Sequence, residues 1–110
     1  MKFNHYYEKL FETNLYWFRG SRKIYNQLIK GEFKQIAPKK DSSVKGTFET
    51  YKKDNIWIGV IWLRNRNLSV LVHECFHAVH WILLDRGLIL SDASEEVYAY
   101  FLGSLVKELR

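Results

Sequence analysis

The chain has 110 residues, a net charge of +5, 47% hydrophobic and 16% aromatic residues, and one cysteine. This length supports one domain with one modest core; the apolar fraction excludes a disordered polymer, and the lone cysteine excludes an internal disulfide framework. No apolar run approaches the roughly 20 residues of a membrane span, and Met1-Lys2-Phe3-Asn4-His5 opens no secretory leader, so a cytoplasmic protein is expected.

Residues 3–12 place Phe3, Tyr6, Tyr7, Leu10 and Phe11 at helical spacing, with Asn4, Glu8, Lys9 and Glu12 opposite. That spacing predicts an amphipathic helix. Within the aromatic segment 1–20 it would either pack on the domain or dock a partner or a second copy of the chain, since aromatics are enriched at interfaces. Leu15-Tyr16-Trp17-Phe18 reads as a short strand ended by Gly20. Ser21 is a candidate N-cap for a helix through Ile24, Leu28 and Ile29, with Gly31 at C′. Residues 34–46, with Pro38, Asp41-Ser42-Ser43 and Gly46, read as a loop.

A β-hairpin is expected over about 47–63. Thr47-Phe48-Glu49-Thr50-Tyr51 alternates, whereas Ile56-Trp57-Ile58-Gly59-Val60-Ile61-Trp62-Leu63 is apolar on both faces, the pattern of a buried strand. Arg64-Asn65-Arg66-Asn67 is a polar turn. A helix is expected over about 69–85, capped by Ser69 and closed by Asp85-Arg86-Gly87, and a last helix over about 93–109. The whole reads as a single α+β unit spanning 1–110.

Charge is uneven along the chain. Residues 19–53 carry ten Lys or Arg against Glu32, Asp41 and Glu49, which leaves the remainder slightly acidic. Dispersed lysines of this kind are usually a solvated face, and no nucleic-acid-binding motif accompanies them, so nucleic-acid contact through 19–53 is a minor expectation.

The chemistry concentrates in His73-Glu74-Cys75-Phe76-His77, an H-E-x-x-H inside an apolar helical run. Histidines four apart project from one helix face and can share one metal ion. Zinc brings the pKa of a bound water to about 7, and a carboxylate beside it can take the proton as the water attacks a carbonyl. Glu74 is the candidate general base, His73 and His77 the candidate zinc ligands. Burying two histidines and a glutamate in so apolar a segment is costly unless they are paired or bound to metal. His80 stands about 10 Å along the axis from His73 and is expected to pack or support rather than ligate. Cys75 points away from the histidine face and reads as a small core residue. His5 receives no role.

A zinc site needs a third protein ligand. In Ser91-Asp92-Ala93-Ser94-Glu95-Glu96, an N-cap at Asp92 would place Glu95 in a capping box. Glu96 would then share a face with Ala99, Tyr100 and Gly103, and is the expected ligand. Tyr100, i+4 from Glu96, or else Tyr98, is the candidate donor to a developing oxyanion.

The pattern resembles the gluzincin type of metallopeptidase, and more closely a family of small phage-encoded proteins carrying H-E-x-x-H-A-V, a Gly turn and S-E-x-x-A-Y-x-L-G. The corresponding pieces here are His73–Val79, Arg86-Gly87 and Glu96–Gly103, within roughly Ile56 to Leu109. The resemblance implies metal on His73, His77 and Glu96, Glu74 as base, a zinc-dependent hydrolase of peptides, and a strand edge beside the metal helix that receives an extended substrate. The doubled Glu95-Glu96 leaves the third-ligand register open by one residue. A phage-encoded protein would work in the host cytoplasm or be attached to a virion. The competing class is a non-enzymatic phage structural or accessory protein whose metal site is structural or vestigial; the unligated Glu74 favours the enzyme, because a purely structural site has no use for it.

Overall fold

The computed structural model describes residues 1–110. Strands β1 (Asn4–Glu8) and β2 (Thr13–Arg19) precede helix α1 (Arg22–Phe33). Strands β3 (Gly46–Lys53) and β4 (Ile56–Leu63) then lead into helices α2 (Leu68–Asp85) and α3 (Glu95–Leu109). One mixed sheet runs in the order β1-β2-β4-β3, with β2 and β4 parallel at its centre and antiparallel β1 and β3 at its edges. This is the expected α+β class. No helix is long and apolar enough to cross a membrane.

Both faces of the sheet are covered, which explains the unbroken apolar run of β4. Side chains alternate along a strand, so Ile61 and Leu63 meet α2 and α3 while Val60 and Trp62 meet α1. On the first face they join Leu15, Leu71, Cys75, Val79, Ile82, Phe101 and Leu105. On the second, Phe18, Tyr25, Ile29, Phe33 and Tyr51 close the layer. Under α1 lies a buried polar knot. Arg22 bonds Glu49 at 3.0 Å and sits over the Tyr25 and Trp62 rings, while the Tyr25 hydroxyl donates to Glu49 at 2.5 Å. Arg22 also donates to the Thr47 hydroxyl and the Pro38 carbonyl, which leaves only its Nε without an acceptor, and pairing of this kind is what makes a buried charge tolerable in a core.

The N-terminal segment is a correction. Residues 4–8 form an edge strand paired with β2, not an amphipathic helix. Tyr and Phe favour extended backbone, and cross-strand packing outweighs a helical spacing over so short a stretch. Phe3 packs edge-on against Tyr16, Phe18 and Tyr25, His5 stacks on Tyr16, and Phe11 stacks on Phe101 at 5.3 Å. The return to β2 is made by the Glu8 carboxylate, which accepts from the Leu10 and Phe11 amides, with Glu12 at φ 50°. No N-terminal helix exists to dock a partner.

Three helix ends also differ from expectation. Helix α1 passes Gly31 and ends at Lys34, which takes the left-handed conformation, because Phe33 is buried against Tyr51 at 5.5 Å. Asn67, rather than Ser69, caps α2 by accepting from the Val70 amide. At α3 the capping box does not form: Ser94 precedes the helix, and its hydroxyl is committed to the Ile89 carbonyl. Asp54 and Asn55, both at positive φ, make the two-residue turn between β3 and β4.

Candidate metal centre

Helix α2 buries Leu71, Cys75, Ala78, Val79 and Ile82 along one side, which aims the opposite side at solvent. His73 and His77 stand on that exposed side with their Nε2 atoms 3.1 Å apart. Two histidine nitrogens bound to one zinc at 2.0–2.1 Å and a tetrahedral angle would be about 3.3–3.4 Å apart. The pair is therefore within a few tenths of an ångström of ligating geometry before any ion is added. His73, Glu74 and His77 offer ligand-type atoms that all lie within 4.8 Å of one another, a group able to hold a metal ion.

Glu74 occupies the flank between the exposed histidines and the sheet, and only 7% of it is accessible. What buries it is the start of β3. Gly46 lies so close to α2 that a Cβ there would come within 2.6 Å of Val70 Cγ1 and 3.2 Å of Glu74 Cγ. Only a residue without a side chain lets the edge strand approach this near. Burial raises the Glu74 pKa above the ordinary carboxylate value; His73 and His77 pull it back and Glu49 adds to the rise. A carboxylate with a raised pKa beside a histidine pair able to hold a metal ion suits a group that must accept and return a proton.

The surrounding surface is an open depression of about 350 Å³ lined by Lys45, Gly46, Ser69, Val70, His73 and Glu74. It lies where α2 meets β3, and β3 is an edge of the sheet. Lys45 is the cationic side chain here, and the motif reading passed over it. The only available signal was its place directly before Gly46, and nothing in the sequence shows that this loop end folds against α2.

No protein-family model matches the chain, and neither does any curated protein or any solved structure. The site therefore rests on its own geometry.

That geometry leaves two expected residues outside the cluster. Glu96 and Tyr100 line a separate apolar groove with Glu8, Leu10, Phe11 and Val97. The stacking of Phe11 on Phe101 orients this flank of α3 towards the β1–β2 turn. Glu95 lies 100° round the helix from Glu96 and does not line that groove. Tyr98 is buried, and its hydroxyl donates to the Leu88 carbonyl at 2.6 Å, a structural bond. His80 stacks parallel to Phe76 and neighbours Tyr98, a packing position outside the cluster. Cys75 is fully buried, and burial pushes its thiol up to about 12.

Proposed function

We propose that the protein is a metal-dependent hydrolase of the zincin kind, acting on peptides. The observation that carries this reading is the histidine pair at ligating separation with a buried carboxylate beside it. The two imidazoles are donors that zinc takes, with a carboxylate needed to complete the protein ligands; the same donor types also suit Fe, Mn or Co. A bound ion would polarise the scissile carbonyl and acidify water. The chain's own residues do the rest. His73 and His77 would hold the ion, and Glu74, raised in pKa and shielded by Gly46, would accept the proton of the attacking water and return it to the leaving amine. The free edge of β3 offers main-chain hydrogen bonds to an extended substrate, and Lys45 supplies positive charge where the carbonyl oxygen becomes negative.

The third protein ligand is assigned to the Glu95-Glu96 turn, with Glu96 first as the motif implies. Neither belongs to the cluster as it stands, so ligation by either requires the start of α3 to shift. Such a shift would have to release the Ser94 hydroxyl from the Ile89 carbonyl and the Tyr98 hydroxyl from the Leu88 carbonyl. Zinc content distinguishes the two. About one ion per chain, lost in His73→Ala and in one of Glu95→Ala or Glu96→Ala, supports the centre and fixes its register. Peptide hydrolysis abolished by Glu74→Gln with zinc retained supports the chemistry.

A second reading, a non-enzymatic phage accessory protein, is favoured by the openness of the depression and the absence of a third ligand near the pair. Failure of the wild type to take up zinc would select it.

A further inference from the structure

A second, positively charged pocket lies elsewhere. Arg19 at the end of β2, Arg66 in the β4–α2 turn and Arg110 beyond α3 line one pocket of about 240 Å³ with Asn67, Leu68 and Leu71. No acidic side chain lines it, and none of the three arginines takes part in a salt bridge. Neutral groups hold Arg19 in place: it donates to the Leu109 carbonyl at 3.2 Å and lies over the Trp17 ring, while its Nε is buried without a partner. Burial, together with the nearby charge of Arg66, lowers the Arg19 pKa. A buried guanidinium N–H with no acceptor is costly.

The same pocket receives the beginning of α2, an 18-residue helix. The first amides of a helix have no intrahelical acceptors and carry the positive end of its dipole. The Asn67 cap satisfies only the Val70 amide. Three guanidinium forks and a helix end supply more donors than a carboxylate can accept, and suit the several terminal oxygens of a phosphate. Leu71, in the wall of the pocket, faces the core and lies about 200° round α2 from His73, so this pocket and the histidine pair open on different sides of the helix.

We propose that Arg19, Arg66 and Arg110, with the N-terminal end of α2, form a phosphate-binding site separate from the histidine pair. Two sources present this chemistry, a small phosphate ester and the backbone of a nucleic acid.

Amide NMR of the metal-free full chain, titrated with inorganic phosphate and separately with a single-stranded oligonucleotide, tests the site. Phosphate is expected to shift the Leu68 and Ser69 amides. Each of Arg66→Gln and Arg110→Gln, both at exposed positions, is expected to weaken binding by about tenfold or more, the loss expected of one charge-assisted contact. His73→Ala is expected to leave phosphate binding unchanged. Tighter binding of the oligonucleotide, with a log–log salt slope that falls by about one in Arg66→Gln, assigns the site to nucleic-acid backbone; equal or weaker binding assigns it to a small phosphate ester. Wild-type spectra unmoved by millimolar phosphate, or binding undiminished in a folded Arg66→Gln/Arg110→Gln double variant, would overturn the proposal.

Discussion

Zinc should stabilise the fold by an amount set by its free concentration relative to its dissociation constant. The Nε2 atoms of His73 and His77 are already 3.1 Å apart, so little reorganisation of α2 opposes binding to the native state, whereas the unfolded chain holds no such pair. At free zinc of 100 times the dissociation constant, the gain is about 2.7 kcal/mol. A domain of 110 residues melts with an entropy of about 0.23 kcal/mol/K, at about 2.1 cal/mol/K per residue. The midpoint should therefore rise by about 12 °C. Scanning calorimetry of metal-free protein with and without zinc reads this directly. His73→Ala and His77→Ala should each abolish the shift. Glu74→Gln should keep it, because that side chain is assigned to the proton and not to the ion. The shift should shrink on acidification, since protons compete for the imidazoles. A wild-type midpoint that zinc does not move, or a full shift surviving His77→Ala, would refute the argument that these two side chains form the centre.

Other consequences follow from the environments of single residues. Because the folded-state pKa of Glu74 is raised, the native state binds its proton more tightly than the unfolded chain; this group's contribution is complete at low pH and is lost as pH rises through the carboxylate range towards the raised value. Metal-free Glu74→Gln should therefore be more stable than wild type at pH 7, by about 0.5–2 kcal/mol in urea titrations, and a less stable variant would contradict the burial argument. Gly46→Ala should cost about 1–3 kcal/mol, since its Cβ would meet Val70 at 2.6 Å and the Trp62 carbonyl at 3.1 Å; an unchanged denaturation midpoint would show that β3 can back away from α2. Arg22→Ala leaves the largely buried Glu49 without its cation, held only by the Tyr25 and Tyr51 hydroxyls, and should destabilise by about 3 kcal/mol, with Arg22→Ala/Glu49→Ala recovering part of the loss. The Cys75 thiol, fully buried and pushed up to about 12, should resist a disulfide reagent at pH 8 in the native protein and react completely in denaturant; rapid native modification would contradict its place in the core.

Much of the scaffold was legible because its signals are local. An apolar run of eight residues following an alternating one reads as a hairpin with a buried strand, and β3 and β4 are that hairpin. The H-E-x-x-H spacing places two imidazoles on one helix face whatever surrounds the helix, and α2 presents them so. The first strand was misread because five apolar residues in nine positions satisfy a helical spacing as readily as an extended one. The pairing of Tyr6 with Leu15 and the packing of Phe3 on the α1 side decide the matter, and neither contact is visible in the segment itself.

By itself, then, the order of residues determined the α+β class, the hairpin and the placement of His73, Glu74 and His77 together on one helix, because each depends on spacings of a few residues within one element. Tertiary structure alone decided the remainder. It set β2 parallel to β4, pairing Leu15 with Gly59, and brought Gly46 against Glu74 so that this carboxylate is buried while its histidine neighbours stay exposed. It turned Glu96 and Tyr100 towards Phe11, and gathered Arg19, Arg66 and Arg110 at one helix end. The physical reason is common to all of these. Burial, charge crowding and the direction a helix face points are fixed by what packs against an element, and those neighbours lie far away along the chain.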